Sequence, residues 1–189
     1  MPYWIAENKK YIDISASALN STEKAKIIAT ARKSFNAYGP DWKKAYFDER
    51  SGGYYVVHKN HMLQTKGGGG DAELDVSMML AKYNGKQVEL VDEQPRFSGD
   101  KRPDLRFDGQ TWDVKAINNA NVETIRKYIK NARKADCAIF YWDKESAKLE
   151  ELRAAVDKEV ARLSKLERID EMPDIFYMKN GLLRLIWKK

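Results

Sequence analysis

The stretch Arg102-Pro103-Asp104-Leu105-Arg106-Phe107-Asp108-Gly109-Gln110-Thr111-Trp112-Asp113-Val114-Lys115 decides how this chain is read. Asp108-Gly109 sits between two apolar runs, the signature of a two-residue type I′ turn, in which both central residues take positive φ. Such a turn pairs Phe107 with Gln110. Arg106 then faces Thr111, Leu105 faces Trp112, and Asp104 faces Asp113. Because strand side chains alternate between faces, Leu105, Phe107, Trp112 and Val114 form a core face. Asp104, Arg106, Asp113 and Lys115 share the other. Directly opposed residues have Cβ atoms roughly 4.5–5.5 Å apart. Two carboxylates that close repel unless a cation neutralises them, and Mg²⁺ prefers oxygen ligands of this kind.

Working outward, Val122 to Ala135 reads as a helix with Val122, Ile125, Ile129 and Ala132 at core spacing. Beside that stripe run Arg126, Lys130 and Arg133, flanked by Lys127 and Lys134, a candidate phosphate-binding surface. Asn118 and Asn119, between strand and helix, are further candidates for substrate contact. Ala138 to Trp142 is a buried strand, and Glu145 to Arg168 a long helix with an apolar stripe at Leu149, Leu152, Val156, Val160 and Leu163. Asn180-Gly181 joins strands Asp174 to Met178 and Leu182 to Trp187. Upstream, Asp71 to Asn84 reads as a helix capped by Asp71, and Gln87 to Val91 as a strand, followed by a polar loop over Asp92 to Arg102. Ser21 to Ala37 reads as another helix, capped by Asn20 or Ser21, and Tyr54 to Val57 as a short strand. Helices alternating with strands in this way predict an α/β or α+β fold, a mixed sheet flanked by helices. The run Gly67-Gly68-Gly69-Gly70 is the clearest break, and predicts an extension over 1–66 and a main domain over 67–189.

The 189 residues carry 34 Lys and Arg against 28 Asp and Glu, a net charge of +6 that favours a polyanionic partner. The single cysteine, Cys137, excludes an internal disulfide and is expected to be a buried, inert thiol. No apolar stretch approaches the ~20 residues a membrane span needs, and the first residues lack a signal-peptide pattern. A soluble cytoplasmic protein is expected, although a domain delivered into a target cell by other machinery would look the same. His58 and His61 are read as surface residues, since no third His and no further Cys completes a zinc site. Trp42, Tyr54 and Tyr55 are read as aromatic core, with base stacking as the alternative.

Pro103-Asp104 followed by Asp113-Val114-Lys115 resembles the PD-(D/E)xK nuclease superfamily, whose motif spans two such strands. Within it, residues 67–142 most resemble the C-terminal nuclease domains of contact-dependent growth inhibition toxins, several of which cleave tRNA. Related modules occur in phage and mobile-element proteins. The resemblance implies a restriction-endonuclease-like fold, with the helix at 145–168 and the final hairpin as family-variable additions. It implies that Asp104, Asp113 and the Val114 carbonyl bind Mg²⁺ or Mn²⁺. Glu73, with Asp75 as alternative, would complete the site from the first helix, and Lys115 would orient the attacking water. The expected activity is phosphodiester hydrolysis. Its substrate would be tRNA, or DNA for a phage-type endonuclease, and an immunity protein would be a partner. A nucleic-acid- or capsid-binding module on the same fold is the non-enzymatic alternative.

Overall fold

The structure is a computed structural model that describes residues 20–61, 69–93, 102–118, 120–142 and 148–189. Asp108 and Gly109 both adopt positive φ, 51° and 74°, so the predicted type I′ turn forms. It joins β4 (Leu105–Phe107) to β5 (Gln110–Ala116) in the expected register, with Leu105 opposite Trp112, Arg106 opposite Thr111 and Phe107 opposite Gln110. Phe107 and Trp112 stack with ring centroids 4.2 Å apart, and the Trp112 indole N–H donates to the Phe107 carbonyl at 3.3 Å. This diagonal aromatic pair resists a register slip, which would turn both rings out of the core.

The hairpin lies at the centre of an eight-stranded mixed sheet whose strands follow one another in chain order. Its left half is β1 (Trp42–Phe47), β2 (Tyr54–His58) and β3 (Gln87–Leu90). Its right half is β6 (Cys137–Tyr141), β7 (Asp174–Lys179) and β8 (Leu182–Trp187). The pairs β2–β3, β5–β6 and β6–β7 are parallel, and the other four are antiparallel. Each parallel step is crossed by a helix: α2 (Gly69–Asn84), α3 (Val122–Ala132) and α4 (Leu149–Lys165) respectively. A further helix, α1 (Ser21–Ala37), precedes β1 and opens on a capping box between Asn20 and Glu23. The fold class is therefore the mixed α/β one expected. The second predicted turn, Asn180-Gly181, also takes positive φ at both residues.

The two faces of the sheet are covered differently. Ala72, Val76, Leu80 and Ala81 of α2 pack on Tyr55, Val88, Leu90, Leu105, Trp112 and Val114. On the opposite face, Ile125, Ile129 and Ala132 of α3 and Leu152, Val156 and Leu163 of α4 cover Ala138, Phe140 and Tyr177. Ile125 and Ile129 are fully buried, a contribution of about 1.5–3 kcal/mol each. At the far end of this face Ala31 of α1 meets Tyr54 and Val56. Between these two covers lie Glu89, Arg106 and Thr111, on the side of the sheet that carries Asp113.

Several expectations are corrected. Strand β1 has no regular alternation in the sequence, because a bulge between Lys44 and Tyr46 breaks its period of two. Helix α2 begins at Gly69, so Gly69 and Gly70 are its first residues, and Asp71 lies inside its first turn instead of capping it. Gly67 and Gly68, most of the predicted polar loop and Asn119 lie outside the described residues. The helix predicted over Glu145 to Arg168 is Leu149–Lys165, with residues 145–147 outside the described ones, and α3 ends at Ala132, three residues early. Gly53 permits α2 to approach β2: a Cβ there would stand 2.0 Å from the Ala81 carbonyl oxygen. Gly53→Ala is expected to destabilise the chain by about 3 kcal/mol or more, measured by urea unfolding, since backbone cannot yield as a flexible side chain does.

Candidate active site

Proline at 103 shapes the centre of the molecule. It has no N–H, so position 103 cannot donate to the Val114 carbonyl opposite it. Instead the Asp104 N–H donates to the Trp112 carbonyl at 2.9 Å, and the Val114 N–H donates to Asp104 Oδ2 at 2.7 Å. A carboxylate thus takes the place of a backbone acceptor. The Val114 carbonyl accepts from Lys115 Nζ at 3.0 Å. Asp113 sits between β4 and β6 with its side chain fully buried, and Asp104 is 4% exposed.

Two ammonium groups meet this pair. Lys115 Nζ contacts Asp113 Oδ2 and lies 3.7 Å from Asp104 Oδ2. Lys134 Nζ lies 3.2 Å from Asp104 Oδ1 and 2.8 Å from Asp113 Oδ1. Burial pushes the Asp113 carboxyl above its ordinary pKa, the Asp104 charge adds to this, and Lys115 and Lys134 only partly offset it. Both Asp113 oxygens are buried without a well-aligned hydrogen-bond donor, although the two ammonium groups stand close by. Burial works against the charge of Lys134, but the two carboxylates hold its pKa above the usual lysine value.

Lys134 is the residue the sequence reading passed over as a flank of the basic stripe. Only the turn after α3 brings it here. That turn is pinned by Asp136, whose Oδ2 accepts from the Thr111 N–H at 3.0 Å and the Thr111 hydroxyl at 2.7 Å. Arg126 and Arg133 are turned instead toward Glu159 of α4: Arg133 contacts it directly, and Arg126 Nη2 lies 3.6 Å away. Arg126 also pairs with Glu123 at 2.8 Å, and Arg133 with Glu171 at 3.3 Å. Lys130 remains exposed, and Asn118 is half-buried after β5.

Glu73 faces a different neighbour. Its Oε2 lies 3.0 Å from His61 Nε2, and His61 Nδ1 lies 2.9 Å from the Val91 carbonyl and 3.7 Å from Glu93 Oε2. His61, Glu73 and Glu93 bring ligand atoms within 4.8 Å of one another, a group able to bind a metal. Among the described residues no such three-ligand group joins Glu73 to Asp104 and Asp113. His61, expected at the surface, is buried. Burial opposes its charge, yet the Glu73 hydrogen bond, the Glu93 charge and the Val91 carbonyl hold its pKa above the ordinary value. The alternative acid, Asp75, accepts instead from the Tyr141 hydroxyl at 3.1 Å.

Trp42, His58, Arg102, Pro103 and Arg106 line a groove of about 460 Å³ next to Asp104. Trp42 packs edge-on against His58, with ring centroids 4.9 Å apart. Tyr54 and Tyr55 are core residues, as expected. The Cys137 thiol is buried, with its pKa pushed up to about 12 by that burial.

The mixed α/β sheet thus buries two acids at its central hairpin, with two half-buried lysines against them. Residues 101–181 match the family model of the contact-dependent growth inhibition CdiA C-terminal domain. The match runs from just before Pro103-Asp104 to Gly181, and so takes in α4 and β7, which the sequence reading set aside as variable additions. Helix α2, with Glu73, precedes it. No curated protein and no solved structure matches the chain. Among the described residues no helix is long and apolar enough to cross a membrane.

The raised pKa of Asp113 means that the metal-free folded state resists its ionisation. The folded chain then binds more protons than the unfolded one, so stability falls as pH rises from the unfolded to the folded pKa. At neutral pH in chelator, Asp113→Asn should therefore melt at a higher temperature than wild type. A lower melting temperature in calorimetry would show that the lysines outweigh burial.

Proposed function

We propose that this chain is a metal-dependent nuclease of the PD-(D/E)xK type, acting as a toxin domain that cuts RNA, with tRNA as substrate. The observation that carries this reading is the buried Asp104–Asp113 pair on a Pro-Asp hairpin, with Lys115 one pleat on. The order α2, β3, β4, β5, α3, β6 supports it, as does the match of residues 101–181 to the CdiA C-terminal domain family. That match also supports an immunity protein as partner and delivery into a target-cell cytoplasm.

The donor set suits Mg²⁺ or Mn²⁺. Asp104, Asp113 and the Val114 carbonyl are all oxygen ligands, and the Asp113 oxygens lack well-aligned donors. When bound, the ion would supply a water of lowered pKa and positive charge for the phosphate. The protein's own groups do the rest. Lys115, held beside both carboxylates and the Val114 carbonyl, orients the attacking water or meets the developing negative charge. Lys134 offsets the repulsion between the carboxylates in the metal-free chain and adds positive charge facing the phosphate. Arg102 and Arg106 in the adjoining groove attract the backbone, and Trp42 offers a face for base stacking. Lys127 and Lys130, exposed on α3, extend the basic surface and make binding salt-sensitive.

Cleavage of tRNA and of plasmid DNA, each with Mg²⁺ or Mn²⁺, tests this. Wild type should cut tRNA and stop when chelator is added. Asp113→Ala and Lys115→Ala should each lose at least about 10²-fold in rate. Undiminished cutting by Asp113→Ala would refute the site. Cutting of plasmid alone would keep the site and move the substrate to DNA.

A further inference from the structure

His61 lies just after β2, on a stretch outside the family match, and its side chain is fully buried. Its Nδ1 faces the Val91 carbonyl at 2.9 Å. A carbonyl oxygen only accepts, so Nδ1 carries the proton. The Nε2 position then points at Glu73 Oε2, 3.0 Å away. An imidazole lone pair and a carboxylate lone pair facing each other at that distance need a cation between them. A proton is one solution and a metal ion the other. Ligand atoms bound at about 2.0–2.2 Å to a six-coordinate ion stand about 3 Å apart along each edge, the separation already present between Nε2 and Glu73 Oε2, while Glu93 Oε2 stands farther off, 3.7 Å from Nδ1.

Three further features favour the metal. An imidazole that donates its second N–H to a backbone carbonyl is the usual arrangement of a metal-bound histidine, because that hydrogen bond fixes tautomer and ring orientation. Glu93 brings a second carboxylate within 4.8 Å of the other two ligand atoms. The three ligands come from separate segments, after β2, on α2 and after β3, so an ion here would tie the left half of the sheet to α2. We propose that His61, Glu73 and Glu93 hold a divalent transition metal, Zn²⁺ or Mn²⁺, in a site separate from the Asp104–Asp113 pair. The imidazole ligand favours Zn²⁺ above all over Mg²⁺, which prefers oxygen and gives up its waters reluctantly.

The two sites are neighbours without sharing a ligand. Val91 accepts from His61 through its carbonyl and donates through its N–H to the Asp104 carbonyl at 3.1 Å. Filling the histidine site therefore fixes the backbone against which Asp104 is held. The residues that precede the matched stretch would thus supply all three ligands and brace it.

The test is a titration of metal-stripped full-length chain with Zn²⁺ alone, in competition with a chromophoric chelator, so that no cleavage is read. One Zn²⁺ per chain should bind, and Asp113→Asn should keep that affinity within about threefold. His61→Gln and Glu93→Gln should each weaken it at least tenfold, about the least that loss of a ligand costs. Glu93 is only partly buried, so Glu93→Gln decides the matter if His61→Gln fails to fold by circular dichroism. X-ray absorption on the zinc-loaded Asp113→Asn variant should show an imidazole ligand. A folded wild type that binds no Zn²⁺, unchanged affinity in Glu93→Gln, or loss of binding in Asp113→Asn would each overturn the proposal. Because binding is measured directly, a failure here leaves the nuclease reading standing, and an inactive nuclease leaves this site standing.

Discussion

The hydrogen bond from the Val114 N–H to the Asp104 carboxylate is the constraint on which the centre of the molecule depends. Pro103 has no N–H to offer the Val114 carbonyl, and the acceptor for the Val114 N–H is the Asp104 side chain in place of a main-chain carbonyl. The substitution holds a carboxylate inside the sheet, beside Asp113, where a plain ladder would have left only amides. The Val114 carbonyl, with no proline N–H to meet it, accepts from Lys115 Nζ instead. One backbone irregularity therefore brings two acids, a carbonyl and a lysine to a single point.

Holding two buried carboxylates together is unfavourable, and the surrounding charges are arranged to limit the cost. An isolated charge leaving water loses several kcal/mol even after relaxation, by order of magnitude. Lys115 comes from the same strand as Asp113, while Lys134 comes from the turn after α3. The position of α3 is itself electrostatic as well as apolar. Glu159 of α4, almost fully buried, gathers Arg126, Arg133 and Arg162. Arg162's hydrogen bonds foremost, with the Arg133 charge, hold its pKa below the ordinary carboxylate value in spite of burial. Two arginines that look like phosphate ligands on a helical wheel thus fasten α3 to α4, and the lysine at the end of that helix reaches the acids.

The left half of the sheet has a comparable role. β1 and β2 continue the sheet beyond β3, and His61 follows directly from β2. The histidine is enclosed by α2 and by the strand end at Val91, so the stretch before the glycine run reaches the residues around Asp104. The groove beside Asp104 has the same mixed origin, with Trp42 and His58 on one side and Arg102 and Arg106 on the other.

What the sequence determined by itself was local. The turn at Asp108-Gly109, the register from Phe107–Gln110 to Leu105–Trp112, the second turn at Asn180-Gly181 and the mixed α/β class all follow from short-range rules. Glycine and aspartate accept positive φ, side chains alternate along a strand, and apolar residues recur along helices. Those rules were enough to put Asp104, Asp113 and Lys115 on one face. The tertiary structure alone decided what met them. Lys134 arrives through a turn pinned to Thr111, Arg126 and Arg133 go to Glu159 on a helix far along the chain, and Glu73 goes to His61. None of these pairings has a sequence period, because each depends on how separate elements pack across the sheet. β1 escaped for a related reason: its bulge removes the alternation by which a strand is recognised, and only pairing with β2 makes it one.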